Sequence, residues 1–289
     1  EVDWDDWIGA GDSPRFRVTS RNSELWHDGA VTQRFEAALG TPVEGAREQL
    51  VVVRAVNDRF TVSVDSSGAP LHERGWRQAI AKAPLRESVA AGLLVAAGWD
   101  PTTPLVDPMC GSGTIAIEAA LLAGGVAPAA GRELAFRFWP GFEPGTWASV
   151  AAEIQKRRTD AGDPPPIVAV DRDAGAVESA RANAERAGVA DLIEWRTAPI
   201  AELARPDGTD GRPGLLVANP PWGGRLAGGD LRNLYATLGR VASEGFAGWS
   251  LGVLVADRTL ARQVRPGLTE ALQLELGGRQ AWYLTGRLR

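Results

Sequence analysis

Asn219-Pro220-Pro221-Trp222 sets a carboxamide, two rings of fixed φ and an indole in four consecutive residues. It follows the apolar run Leu215, Leu216, Val217, Ala218 and is closed by Gly223-Gly224. Neither proline has an N–H to give, so the stretch ends a strand instead of extending it. A rigid turn of this kind aims an amide oxygen and a flat ring at a planar ligand. The Asn219 amide can accept from an exocyclic amine, which helps leave that nitrogen's lone pair free to attack, and the Pro220 carbonyl is a second acceptor. Trp222 offers a face to a base turned out of its stack, an interaction worth ~1–3 kcal/mol per base. The plainer alternative is a structural turn with a packed indole.

A second constellation is the loop Asp107-Pro108-Met109-Cys110-Gly111-Ser112-Gly113-Thr114, between a short buried strand and a helix. Gly111 and Gly113 let backbone approach a ligand closely, and the helix that follows presents free N–H groups. The loop has no GxxxxGK[ST] pattern, which demotes an NTPase, and lacks the third glycine of the dinucleotide fingerprint. Asp171, followed by Arg172, stands at the end of the next strand, where an acid grips the two hydroxyls of a ribose. Asp173 competes for that part, but its place just before a helix suits an N-cap. Cys110 invites covalent attack on a pyrimidine ring, yet it sits beside the glycine loop and not near the Asn219 turn, and it reads as core.

The elements that must carry these residues alternate. From Leu105 onward the pattern is strand, loop, helix: strands at 104–106, 167–170, 192–195, 214–218 and 251–256, helices at 115–123, 174–187, 231–246 and from 258 to 265. Two further strands, 271–276 and 280–284, flank Gly277-Gly278. Alternation of this kind implies a parallel sheet with helices on both faces. Before it, a helix runs from Pro84 to Ala97, closed by Gly98. A long connection, 125–163, holds Phe136, Phe138, Trp139, Phe142 and Trp147 and a helix near 146–158. Residues 1 to about 75 read as a small α+β unit with a strand at 15–19, a helix at 28–39 and a hairpin of 49–56 with 59–64 across Asn57-Asp58. Its arginines (15, 17, 21, 34, 47, 54 and 59) either meet phosphates or line a merely solvated surface.

Composition sets bounds. The 289 residues are 44% hydrophobic and 23% charged, ordinary for a globular protein, and suffice for a large domain with a small attachment. No run of 18 apolar residues exists, so a membrane span is not expected, and the polar, aromatic start does not read as a signal peptide. A single cysteine excludes an internal disulfide and fits a reducing cytoplasm, and with two histidines a zinc site is not expected. The net charge of −5 means that a nucleic-acid partner must be held by a local basic face. The opening residues read like the middle of a longer chain.

The three constellations together resemble the class I S-adenosylmethionine-dependent amino-methyltransferases, whose motif is [Asp/Asn/Ser]-Pro-Pro-[aromatic]. A closer resemblance spans nearly the whole chain. The runs DSSGAPLHERGWRQAIAKAPLRESVAAGLLVAAGW, VDPMCGSGTIAIEAALLA, FRFWPGF, DRDAGAVESARANAERAGV and LLVANPPWGGRL are similar to the THUMP-associated RNA methyltransferases, the guanine-N2 methylases of 23S rRNA and tRNA. The segment from Phe16 to Leu39, with SRNSELWHDGAV, is similar to the carboxyl part of a THUMP domain, an RNA-binding module.

The resemblance implies a Rossmann-like class I methyltransferase fold at 76–289, with a mostly parallel seven-stranded sheet whose last strand is antiparallel, and a partial THUMP-like unit at 1–75. It implies S-adenosylmethionine as cofactor, held by Asp107 to Thr114 with Cys110 and Ser112 among them, by Asp171 and Arg172, and by Pro84 and Arg86 at the methionine end. The catalytic group would be Asn219, Pro220 and Trp222, and the partner rRNA or tRNA, with a monomer favoured and neither membrane nor metal involved. The same turn serves adenine-N6 methylation of RNA or DNA, and a non-catalytic RNA-binding protein on this fold is the third reading. Two departures stand out: Trp222 where tyrosine is commoner, and no acid in Arg196-Thr197-Ala198-Pro199 to meet the cofactor's adenine amine.

Overall fold

In the computed structural model, which describes residues 2–78, 85–209, 211–223, 228–265 and 267–289, the chain divides into two compact units. The first comprises 1–71 and 129–153, the second 72–128 and 154–289.

The first unit is built on a three-stranded sheet. β1 (Ser13–Arg21) is followed by α1 (Asp28–Leu39), then by β2 (Glu48–Val56) and β3 (Arg59–Val64), in the order β1-β2-β3. β1 and β2 are parallel, which requires the crossover that α1 supplies, and β3 returns antiparallel. Asn57 and Asp58 make the tight reversal at φ 50° and 62°, the left-handed pair that a two-residue hairpin needs. Val51 and Val53 of β2 are buried against Val31 of α1, with Phe16, Val18 and Phe35 around them. The segment 129–153 groups here through its aromatics: Trp139 lies edge-on to Trp7 at 4.8 Å, and its indole N–H donates to Gln49 Oε1 at 2.8 Å. A linear division at 75/76 leaves that segment with the second unit; contacts between residues 90 or more apart in sequence decide otherwise.

In the second unit, α2 (Glu87–Ala96) leads into β4 (Leu105–Asp107), α3 (Thr114–Ala123) and α4 (Pro144–Asp160), the last lying partly in each unit. The chain continues through β5 (Ile167–Asp171), α5 (Ala174–Ala187), β6 (Ile193–Thr197), β7 (Leu215–Ala218), α6 (Gly228–Gly245), β8 (Ser250–Val255), α7 (Arg258–Val264), β9 (Thr269–Leu276) and β10 (Arg279–Arg287). The sheet order is β6-β5-β4-β7-β8-β10-β9. Neighbours from β6 to β8 pair parallel, and β10 is antiparallel to both β8 and β9, as the last strand was expected to be. The central strands are apolar throughout because both faces are covered. Leu105, Ile167, Ala169, Leu215 and Val217 pack against α2, α3 and α5, whereas Val106, Val168, Leu216, Val253 and Val255 pack against α6 and α7.

The expected helix from Pro84 begins later among the described residues. Arg86 is the N-cap of α2 and Pro84 lies outside the described residues. Gly98, at φ 63°, turns the chain out of that helix, and Trp99 N–H donates back to Leu94 O at 3.1 Å.

Candidate active site

β5, β4 and β7 lie side by side and run the same way, so the loops after them leave from one edge of the sheet. From β4 the chain moves to β5 on one side and later returns to β7 on the other. That reversal opens a crevice beyond the strands' carboxyl ends, where open α/β sheets bind ligands. Asp107 and Asp171 are the last residues of β4 and β5, and Asn219 directly follows β7.

The loop after β4 is held by its own backbone: Cys110 N–H donates to Val170 O at 2.9 Å and Gly113 N–H to Cys110 O at 2.8 Å. Its two glycines, at φ 52° and 81°, do different work. A Cβ on Gly111 would meet nothing within 4 Å, so this backbone borders open space. A Cβ on Gly113 would come within 2.9 Å of Ala180 Cβ, so that glycine lets α3 and α5 approach. Only at Ile117 does the helical ladder begin, with a bond to Gly113 O. The N–H groups of the first turn therefore have no partner within the helix. Ser112 and Thr114 are buried with their hydroxyls 3.4 Å apart, and Pro108 is buried beneath the loop. Asn183 Nδ2 donates to Ser112 O at 3.1 Å and fixes the loop from α5.

Two acids face the loop. Asp171 Oδ2 accepts from Gly111 N–H and Oδ1 from Asp173 N–H, both at 3.0 Å, and each oxygen keeps a further lone pair. Asp173 is the N-cap of α5, accepting from Gly175 N–H at 2.9 Å and Ala176 N–H at 3.3 Å, and Arg172 between them is exposed. Asp107 is 1% exposed, and among the described residues its carboxylate accepts only one hydrogen bond, a long one of 3.4 Å from Met109 N–H. Burial pushes its carboxyl up to about 8; the Met109 amide pulls weakly the other way, and the charge of Asp171 adds to the rise. Burial, and then the charges of Asp107 and Asp171, push the Cys110 thiol up as well. Cys110 packs in the core and is no nucleophile there.

The Asn219 turn is fastened at two points. Trp222 donates its indole N–H to Leu254 O of β8 at 3.3 Å, and Tyr235 O–H of α6 donates to Pro221 O at 3.4 Å. Pro220 is buried, Trp222 is half-buried against the core, and the Asn219 carboxamide has no partner among the described residues. The amide acceptor is thus left free by a turn that cannot easily move. Arg86 is exposed and makes no side-chain cap bond. Arg77 donates to Leu85 O at 2.5 Å and pairs with Glu87 at 3.0 Å, fixing the entry to α2. At Ala198 the backbone N–H is already donated to Asp171 O at 3.0 Å.

Three supports of the site had escaped sequence reasoning. Tyr235 sits on a helical stripe with Leu231, Leu238 and Ala242 and reads as core. Asn183 shares a buried face with Val177, Ala180 and Ala184, and a polar residue in such a stripe is the signal that could have marked it. Arg77 had no such signal.

The family profile described as RMKL-like, methyltransferase domain, matches residues 74–278, well over half of the chain and all of the strand-end residues above. The chain belongs to the RMKL-like methyltransferases. Their methyl donor is S-adenosylmethionine. A curated relative, the ribosomal RNA large subunit methyltransferase K/L of Chromohalobacter salexigens, is 35% identical over 269 residues, 88% of this chain and 36% of the relative. This chain therefore spans about a third of that relative's length. A solved structure described as a predicted N6-adenine-specific DNA methylase from Listeria monocytogenes str. 4b F2365 is 30% identical, with TM-score 0.76, over 97% of this chain and 75% of that one. The SMU.472 protein, solved complexed with SAH, has the same fold at TM-score 0.81 and 24% identity, over 99% of this chain and 78% of that one.

The crevice residues suit such a donor. Asp107 is a buried carboxyl whose charged form a cation set against it would favour, Asp171 has spare acceptor capacity, and Gly111 opens onto free space. Among the described residues no group of three or more His, Cys, Asp or Glu could hold a metal ion. No described helix is long and apolar enough to cross a membrane.

Proposed function

We propose that this RMKL-like methyltransferase methylates RNA at the exocyclic N2 of a guanine. The observation that carries the reading is the Asn219 carboxamide, left without a partner at the end of β7 on a turn fastened by Tyr235 and Trp222. The kinship with a ribosomal RNA methyltransferase at 35% identity supports RNA as the substrate. S-adenosylmethionine supplies, when bound, a methyl group on a positively charged sulfur.

The chain's part is to hold and orient. Asp107 offers a negative charge to the donor, Asp171 accepts from its ribose hydroxyls, and the Gly111 backbone lets it lie close, with Ser112 and Thr114 bracing the loop. Arg86, Arg172 and Pro84 belong to the same binding group in this reading. Asn219 Oδ1 and the Pro220 carbonyl accept the two N–H bonds of the amine, which turns the nitrogen lone pair toward the methyl group. With the donor bound, methyl transfer would form an N–C bond at the expense of its S–C bond, and the amine held by Asn219 and Pro220 would lose its proton to water. Such positioning supplies most of the rate, since a correctly aligned pair reacts as if at very high concentration. Trp222 presents a ring face to the flipped guanine.

The first unit acts as a partial THUMP-like RNA-binding module, and the protein works as a monomer in the cytoplasm, where its RNA is. A second reading, adenine-N6 methylation, is favoured by the description of the Listeria protein and by a turn whose acceptors suit either amine. Incubation with labelled donor and total RNA, then mass spectrometry of the nucleosides, separates the two. N2-methylguanosine is the expected product, and Asn219→Ala should lower its yield by about 100-fold or more, in line with the loss of an oriented transition-state partner. N6-methyladenosine would overturn the guanine assignment, and an undiminished Asn219→Ala would overturn the whole reading.

A further inference from the structure

The β1-β2-β3 sheet has one covered face and one open one. Side chains paired across the strands share a face, so Arg17, Thr19 and Arg21 of β1 stand with Val52, Arg54 and Val56 of β2 and with Ser63, Thr61 and Arg59 of β3. All but Val52 are exposed. Of the seven arginines that the sequence singled out, Arg15 is paired with Glu48 at 2.8 Å, and Arg47 is bound to Asp12 and stacked over Phe138 at 4.2 Å. Arg34 lies on α1. Arg17, Arg21, Arg54 and Arg59 remain, on one face, with no carboxylate partner among the described residues.

Three of these four gather at one end of the sheet, where β1 and β2 finish and β3 begins. The loop from Asn22 to His27 is tied to that same end. Asn57 N–H donates to Arg21 O at 3.2 Å, Glu24 N–H to Asp58 Oδ1 at 2.7 Å, and Asp58 N–H to Ser23 Oγ at 3.1 Å. On this fastened loop Trp26 is 74% exposed and Leu25 56%. Among the described residues the one ring against Trp26 is that of His27, edge-on at 5.6 Å. A tryptophan left in water on a loop held by three hydrogen bonds is not explained by packing.

We propose that this rim binds a single-stranded stretch of the RNA substrate, with one unpaired base stacked on Trp26 and the flanking phosphates on Arg21, Arg54 and Arg59. The proposal rests on the reading that RNA is the substrate, and it adds which face of the small unit takes hold and what form of RNA it takes. An aromatic platform beside a cationic track is what sequence-tolerant binding of single strands requires, because every base has a π-face and every nucleotide a phosphate. Four arginines free of carboxylates give the face a positive field in a chain of net charge −5. A duplex would use the arginines and leave the indole idle, so the exposed ring selects an unpaired strand.

The test uses the full chain and a fluorescent single-stranded RNA oligonucleotide, with binding followed by anisotropy across a salt series. Circular dichroism and a melting curve report that each variant is folded, and donor affinity is measured by calorimetry in parallel. Trp26→Ala should weaken RNA binding by roughly 5- to 150-fold, the equivalent of ~1–3 kcal/mol, while Trp26→Phe keeps most of it. The triple variant Arg21→Ala, Arg54→Ala, Arg59→Ala should flatten the salt slope by about 2, and donor affinity should stay as it was in every variant. Equal RNA binding by native chain and Trp26→Ala overturns the proposal and leaves the methyltransferase reading standing. RNA binding that depends on Trp26, with no methyl transferred to any RNA, overturns that reading and leaves this one. Failure of the native chain to bind the oligonucleotide, preference for duplex, or a Trp26-dependent dimer in sedimentation would each overturn the proposal.

Discussion

Replacing Asp107 by asparagine should make the ligand-free protein more stable and its hold on S-adenosylmethionine weaker. The carboxyl sits buried at the end of β4 and is pushed up to about 8, first by burial. An unfolded chain loses that proton near pH 3.9, so between there and about 8 folding must take a proton up. The sign follows: the folded value is the higher one, so this residue's share of stability is intact at low pH and is lost as pH rises toward about 8. At pH 7 the separation of about three pH units amounts to as much as ~4 kcal/mol. The carboxamide that replaces it in the variant has nothing to titrate. The stability difference between variant and native should be near zero at pH 4, grow by up to about 1.4 kcal/mol per pH unit through neutrality, and level off above about pH 8. Each kcal/mol is worth roughly 2–4 °C in melting temperature for a chain of this size.

The same residue predicts a proton count. At pH 7 a carboxyl titrating at about 8 is about nine-tenths protonated. Seating a cation against it drives the proton off. Calorimetric titration of the donor in buffers of different ionisation enthalpy should show more protons released by the native protein than by Asp107→Asn at pH 7, on the order of half to one, with the difference shrinking at higher pH. Donor affinity should drop by about 10-fold or more in the variant, the loss of one charge-assisted contact. A pH-independent stability difference refutes the electrostatic reasoning, and an unchanged proton count refutes the placement of the donor's charge at Asp107.

Trp222→Phe keeps a ring face but loses the bond to Leu254 O, so kcat/KM should fall by no more than about 10-fold, whereas Trp222→Ala should fall well below it. Steady-state rates of the two side by side decide, and equal loss in both argues against stacking. Gly239→Ala sets a Cβ 2.1 Å from the backbone oxygen of Val264, where α6 and α7 meet, and should cost about 3 kcal/mol or more of stability; a neutral melting curve refutes it. Arg74 and Glu118 form a buried two-pronged pair at 3.1 Å, and Arg74→Met should cost about 3–5 kcal/mol by denaturant titration because it leaves the Glu118 carboxylate buried.

Elements were legible where the rule is local. The strand–helix alternation set the class of the sheet, Gly188 at φ 71° and Asp173 bound α5 as its composition suggests, and Asn57-Asp58 make the reversal that the pair signals. Sheet order is another matter. Nothing local in Thr269–Leu276 or Arg279–Arg287 says that the later strand slips between β8 and the earlier one, and the family resemblance gave only that the last strand is antiparallel. The segment 129–153 was misjudged for the same reason, because Trp7 and Gln49, which hold Trp139, lie far away in sequence. Gly113 was read as a ligand glycine, although its missing side chain makes room for Ala180. A sequence shows that a position must be small, not which neighbour demands it.

The same limit separates the two tryptophans. At Trp222 the sequence suggested a ring face for a base, and in the structure the one polar atom of the indole is donated to Leu254 O of β8. In the proposed reading the ring offers a base its π-surface and the polar duty falls to Asn219, which no described residue engages. At Trp26 the sequence suggested nothing, since an aromatic in a short loop usually packs. Only its exposure, on a loop tied to the hairpin tip and beside three arginines without a carboxylate partner among the described residues, sets it apart. Both rings are held by backbone restraint and not by burial of their whole surface. A ring fixed in place yet left partly in water has lost its freedom before any ligand arrives, and a base that stacks on it need not bear that ordering cost.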